Sequence, residues 1–269
     1  MKKLFTLIAC LMASVAMMAQ SQRTVNVIAG GLAQALGPSR MSVTNLKVTG
    51  EINGDDIVTL REMCGAKGLL QDLDLSEVRI VSGGGRYFGT GTDQDCFTHR
   101  NQITARMFYG CTMLQRITIP DKTRSISNDA FSNCPNLREF RTVNCTKYKA
   151  VEGILYSADM ETLVRCPEGL PLDEVEVLDG VHHIYTAAFH GYSKLRQVVL
   201  PATIESVSNM AFIGCPLQAI MMRSHRAPAM ENAFDASVVA NAILYIPRGA
   251  RESYLSANFW NKFSHIQEF

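Results

Sequence analysis

The sequence of 269 residues has almost no surplus of charge: 26 Lys and Arg stand against 25 Asp and Glu. A nucleic-acid binder normally carries a clustered basic excess, so no nucleic-acid partner is expected. An acidic disordered tail is disfavoured for the same reason. Past the N-terminus no stretch approaches the ~20 consecutive apolar residues of a membrane helix. A serine nucleophile elbow, a zincin helix and a dinucleotide fingerprint are all missing, and no cofactor is expected. Gly83-Gly84-Gly85 and Gly89-Thr90-Gly91 lack the Lys-Ser/Thr ending and following helix of a phosphate loop, and read as a surface excursion. Asp93-Gln94-Asp95 opens like a calcium loop without its later Gly and Glu. Cys96 and His99 have no third group or oxyanion donors marked around them, so no hydrolase can be assembled.

What is present begins with an export signal. Lys2 and Lys3 precede an apolar run from Leu4 to Ala13, too short to span a membrane, and small residues follow. Cleavage after Ala19 is the first choice and after Ala16 the second. Leu7-Ile8-Ala9-Cys10 resembles a lipobox, but the apolar stretch before Cys10 is very short, which argues against a lipid anchor. The expected compartment is periplasmic, cell-surface or secreted.

A phrase then recurs. Ile103-x4-Phe108-x-Gly110-Cys111-x2-Leu114-x2-Ile117-x-Ile119-Pro120 is followed by Ile126-x4-Phe131-x2-Cys134-x2-Leu137. It returns from Ile184 through Phe189, Gly191, Tyr192 and Leu195 to Pro201, and again from Val207 through Phe212, Gly214 and Cys215. Both phenylalanine steps are 23 residues (131 − 108 and 212 − 189). A fixed period of this size marks a stacked solenoid, whose repeats bury their apolar faces only against neighbours. Phe108, Phe131, Phe189 and Phe212 are therefore expected to be buried equivalents on one axis.

The organisation follows. Residues 1–19 are the leader and 20–100 an atypical first repeat that caps the solenoid. Residues 101–240 are the repeats and 241–269 a C-terminal cap. In the cap, Val43–Thr49 and Leu70–Leu75 read as strands, and Asp55–Cys64 as a helix capped by Asp55 or Asp56. The Phe131-to-Phe189 gap of 58 residues holds a hairpin at about 150–170, with strands around Gly153–Tyr156 and Leu163–Pro167. Ile243–Pro247 is a last strand, and Tyr254, Phe259, Trp260 and Phe263 form a closing helix and aromatic plug.

Cys111, Cys134 and Cys215 share a slot that Tyr192 fills elsewhere. A position open to Cys or Tyr is a packing position, so these three are expected buried and reduced. Of Cys64, Cys96, Cys145 and Cys166, the pair Cys145–Cys166 is the first choice for a bridge. His182-His183 alternate across a strand and make a poor metal pair, so no metal site is expected.

The repeated phrase resembles the BspA-type leucine-rich repeat, also called the Treponema-pallidum-type repeat. Gly153-Ile154-Leu155-Tyr156 is similar to the hairpin often inserted in that family, and Leu244–Pro247 with Trp260-x2-Phe263 is similar to its usual terminus. The resemblance implies a leucine-rich-repeat solenoid. Short parallel strands would line one face, with turns and short helices on the other and a cap at each end. It implies a non-catalytic exported protein that binds a protein or glycan partner, in adhesion or host and envelope interaction. A structural envelope component without a soluble ligand is the alternative. The outward strand positions give the candidate contact stripe: Asp72 and Asp74, Arg116 and Thr118, Glu139 and Arg141, Glu174 and Glu176, then Gln197 and Val199, Ala219 and Met221. Within it Arg116, Thr118, Glu139, Arg141, Glu174 and Glu176 are the candidate partner-binding residues.

Overall fold

The computed structural model describes residues 22–89 and 96–269. The leader, Cys10 and Asp93-Gln94-Asp95 lie outside the described residues. The chain winds as a stacked series of coils with two strand-bearing faces. On the first face, the strands Arg23–Val27, Asn45–Ile52, Asp72–Asp74, Arg116–Thr118 and Glu139–Arg141 pair in parallel in that order. A second parallel ladder follows: Glu174–Glu176, Gln197–Leu200, Ala219–Met222, Ile243–Ile246 and His265–Glu268. The opposite face carries two-residue strands such as His183–Ile184, Ser206–Val207 and Ala229–Met230. The α-helices lie in the end regions: Leu32–Leu36, Gly54–Cys64, Ala236–Asn241 and Arg251–Ser256. The segment before residue 100 is three parallel rungs rather than one long repeat.

The phenylalanine column explains the period. Phe108 stacks on Phe131 at 5.4 Å, and Phe189 on Phe212 at 4.7 Å. Phe234 extends the second stack at 4.9 Å from Phe212. These distances match the ~4.8 Å rise between parallel rungs. Glycine two residues after the ring is needed because φ is positive there: +72° at Gly110, +79° at Gly191, +78° at Gly214. Asn133 takes the same left-handed corner at +60°, as Asn can.

The 58-residue gap hides one more coil. The Cys166 N–H donates to the Ala188 carbonyl just as the Phe189 N–H donates to Ala211. Cys166 therefore sits in the phenylalanine slot, 23 residues before Phe189, and the coil ahead of it is enlarged by the hairpin. That hairpin is a three-strand antiparallel meander, Tyr148–Val151, Ile154–Ser157 and Thr162–Arg165. Its middle strand is a partition. Leu155 packs into the N-terminal core, whereas Ile154 and Tyr156 pack into the C-terminal one. Alternation along a strand serves two cores at once.

Both ends are blunted. Arg23 pairs in register with buried Leu46, and Glu268 with buried Ile246. Charge at a core-facing position of a terminal strand opposes edge-to-edge growth. Tyr254, Trp260 and Phe263 are the buried plug, with the Trp260 indole donating to the Pro228 carbonyl at 2.7 Å. Phe259 does not join them: it stands half-exposed at φ +67° with the Lys262 ammonium 4.4 Å from its ring centre.

At the N-terminal cap the helix begins one residue earlier than the sequence suggests. Asn53 caps it, and Asp56 closes the capping box on the Asn53 N–H. Asp56 also accepts from Gly30 and Leu32, which ties the two cap helices together.

Candidate interaction surface

The cysteine slot is a hydrogen-bond donor slot. The Cys134 thiol donates to the Phe108 carbonyl at 3.1 Å and the Cys215 thiol to the Phe189 carbonyl at 3.0 Å. The Tyr192 hydroxyl in the same slot reaches the Leu170 and Leu172 carbonyls, each at 2.9 Å. Each group meets the preceding coil, so Cys and Tyr do one job at two lengths. Burial pushes both thiols up to about 12, which removes them as nucleophiles near neutral pH.

Cys111 departs from the expectation. It is bridged to Cys64, with Cα atoms 4.9 Å apart. The coil below it ends in the Gly54–Cys64 helix, which offers a second cysteine at the donor's target. The proposed Cys145–Cys166 bridge is also overturned: both are free. Cys166 is fully buried in the ring column, while Cys145 lies part-exposed on a connecting loop.

The triple glycine is not a phosphate cradle. The Gly85 N–H donates to Asp55, and Gly83 accepts from the Gly54 N–H at 3.0 Å. A Cβ on Gly54 would lie 2.0 Å from the Gly85 carbonyl oxygen. This helix start is covered by its own loop.

The histidines are dispersed: His182 meets Glu205 at 3.0 Å and His183 meets Ser206 at 2.9 Å. Among the described residues no three metal-ligating side chains converge.

The stripe is in register as anticipated within each ladder. Asp72, Arg116 and Glu139 are cross-strand neighbours, as are Asp74, Thr118 and Arg141. Glu174, Gln197 and Ala219 form the corresponding row beyond, beside Glu176, Val199 and Met221. Most of its charge is internally satisfied. Arg141 clasps Glu139 through two hydrogen bonds of 2.8 Å and reaches Asp72 at 3.2 Å. Arg116 meets the same Asp72 oxygen at 2.7 Å. The Arg141 hydrogen bond, then its charge, holds the Glu139 carboxyl below its ordinary range, and the same bond raises Arg141.

Two outward residues are not accessible. Thr118 is 5% exposed because Arg141 reaches diagonally over its strand to Asp72. Val199 is 3% exposed under the equivalent diagonal from Arg223 to Glu176, 2.7 Å. Thr118 is therefore corrected from contact residue to covered neighbour, and the apolar end of the stripe loses Val199.

The stripe is also split. Glu139 and Glu174 are repeat equivalents, but the Glu152-Gly153 turn of the hairpin comes between their strands. The Phe140 N–H is taken by the Gly153 carbonyl at 2.9 Å. An open cleft of about 550 Å³ results, walled by Arg138, Glu139 and Arg141 on one side and by Glu152, Gly153 and Pro171 on the other. Val143, 64% exposed, lines it, and Leu172, 51% exposed, follows Pro171. Sequence reasoning missed this cleft because it arises from where the hairpin wedges, not from a residue pattern.

With the coil geometry in hand, the family comparison is decisive. A model of the BspA type leucine rich repeat region matches six copies over residues 95–154 and 166–262. The chain belongs to this family. Families of leucine-rich repeats generally bind protein partners. Its resemblance to solved structures is modest. A leucine-rich repeat protein from Eubacterium ventriosum is 15% identical, with a TM-score of 0.47 over 77% of this chain and 62% of that one. A leucine rich cell surface protein from Faecalibacterium prausnitzii is 17% identical, with a TM-score of 0.44 over 93% and 80%. The T. pallidum leucine rich repeat protein is 17% identical, with a TM-score of 0.25 over 58% and 75%. The chain thus spans about three-fifths of the Eubacterium protein. No curated protein matches it. Among the described residues no helix is long and apolar enough to cross a membrane.

Proposed function

We propose that this chain is an exported, non-catalytic interaction protein that docks a protein partner on its first sheet face, centred on the cleft where the two ladders part. The supporting observation is that cleft. It combines an exposed apolar group, Val143, with a pre-paired charged wall of Glu139 and Arg141; exposed Leu172 follows its Pro171 rim, and Arg116 is linked to Arg141 through the shared Asp72 carboxylate. Interfaces gain most from a dehydrated apolar centre with charges already held in place around it. Glu174 and Glu176 supply an acidic margin on the far side. A surface location is in keeping with the Faecalibacterium relative, a cell surface protein. The N-terminal Lys2-Lys3 and apolar run supply the route of export.

Co-purification from native cells tests this reading. A single saturable partner is expected, lost on joint reversal of Arg116 and Arg141 while the thermal transition persists. Undiminished capture by that double variant, with loss on changes in residues 83–89 or in the outer hairpin turn, would move the site to the loops.

A further inference from the structure

A second site forms where the ring column ends. Phe234 is the last ring of the column, stacked on Phe212 at 4.9 Å. Its next neighbours, Trp260 and Phe263, meet it edge-on, with ring centres 6.1 and 5.6 Å away. An aromatic edge covers less of a ring face than a stacked ring does. A pocket of about 310 Å³ opens beside Phe234, between the corner at 230–234, the Ala236–Asn241 helix and the segment 259–264. Ala236 and Ala240 present only methyl groups to it, which keeps it open, and Val239 adds to the apolar wall.

Phe259 and Lys262 also line this pocket. Phe259 holds φ at +67°, a conformation that bulky L-residues rarely adopt. If the shape of the turn were the only demand, glycine would meet it without strain. The ring does not serve the plug either, since Tyr254, Trp260 and Phe263 contact one another without it. Strain retained at an aromatic beside a pocket is a mark of function. Lys262 is exposed, with its ammonium 4.4 Å from the Phe259 ring centre and no carboxylate partner among the described residues. The other charged residue of the lining, Glu231, accepts the Asn209 N–H at 3.2 Å. Lys262 is therefore the cation that the pocket offers to a ligand.

We propose that this pocket binds a small amphiphilic acid, a compact apolar body carrying one carboxylate. The Phe234, Val239 and Phe259 side chains take the body, and the Lys262 ammonium takes the carboxylate. The volume lies at the lower end of the roughly 300–1,000 Å³ usual for small-molecule sites. A cationic amphiphile is the poorer fit, because Lys262 repels it and Glu231 is already engaged. A partner's peptide chain is poorer too. Extended peptides gain affinity by pairing with free main-chain groups. Here the Ser264 N–H is donated to the Val239 carbonyl, and the Asn232 carbonyl accepts the Met210 N–H. This site is independent of the sheet-face reading, and each can fail without the other.

The test is a ligand titration of the purified chain followed by saturation-transfer NMR. The probes are phenylacetate, phenylacetamide, phenethylamine and acetate. Saturable binding of phenylacetate is expected, with the amide and the amine at least about fivefold weaker and acetate not bound. Lys262→Met should abolish the advantage of the acid over the amide. Lys194→Met, which removes an exposed cation elsewhere, should change phenylacetate binding less than about twofold. Lys262 is exposed, so circular dichroism should report an unchanged fold for its variant. Phe259→Gly should weaken phenylacetate binding at least about fivefold while the melting temperature holds or rises, because glycine relieves the strained turn. A ring that served packing alone would instead lower the melting temperature and leave binding intact. Absence of saturable phenylacetate binding would overturn the proposal. So would an acid preference that survives Lys262→Met, or amide binding as tight as the acid's, which would make the pocket an apolar seat with no demand for charge.

Discussion

Arg165 and Glu168 form an ion pair at 2.9 Å, with side chains 4% and 6% exposed, where the solenoid breaks its period. Glu168 accepts the Asn133 and Cys134 N–H groups of the coil before the hairpin. Arg165 donates to the Ala187 and His190 carbonyls of the coil after it. The pair thus supplies side-chain partners to both coils across the enlarged one. Burial raises the Glu168 carboxyl and lowers Arg165, so each depends on the other to stay charged. Replacing Glu168 by Ala should cost about 3–5 kcal/mol, as expected when one partner of a buried pair is lost. Glu168→Gln should cost less, because its amide oxygen still accepts from Asn133. Urea denaturation of the two variants measures the difference.

The ring column should be equally sensitive. Phe189→Ala or Phe212→Ala should lower stability by about 3–5 kcal/mol, the range for truncating a buried aromatic. Melting temperature and urea midpoint should fall together. A loss below about 1 kcal/mol would contradict the stacked column.

Thiol titration addresses the cysteines. The described residues hold seven cysteines, two of them bridged and five free, so the protein to titrate is one produced without residues 1–19. Denatured protein should titrate five thiols without reductant and seven with it. Cys64→Ser should destabilise by about 2–5 kcal/mol, the typical cost of losing a native bridge.

The Glu139–Arg141 pair predicts a small acid-side effect. The Glu139 carboxyl is depressed, so its stabilisation is present above the ordinary carboxylate value and is lost as pH falls below it through the folded-state value. The pair is partly exposed and screened, so the effect should stay below about 1 kcal/mol. Comparing wild type with Glu139→Gln from pH 6 down to pH 3 should show the gap between them closing.

The fold was legible in the sequence wherever one slot has one physical demand. Phe108, Phe131, Phe189 and Phe212 each fill the axis, and Gly110, Gly191 and Gly214 each need positive φ. Legibility failed where a slot changed occupant. Cys166 stands in the ring column, and no pattern built on Phe finds it. Cys111 looked like Cys134 and Cys215 because its partner, Cys64, belongs to a coil without the repeated phrase. The outward register of the stripe was readable from alternation. The covering of Thr118 and Val199 was not, because it depends on Arg141 and Arg223 reaching across an intervening strand. The cleft depends on where a turn wedges, which spacing alone does not encode.

The central claim, that a protein docks at the cleft, is tested most directly by site-specific photocrosslinking. A benzophenone side chain at Val143, in the cleft, should give one discrete adduct in native cells. Excess unlabelled wild-type chain should compete it away, and the Arg116 and Arg141 double reversal should not. The same group at exposed Met210, on the opposite turns, should give no such adduct. Equal crosslinking from Met210, or competition by the double reversal as effective as by wild type, would contradict the account.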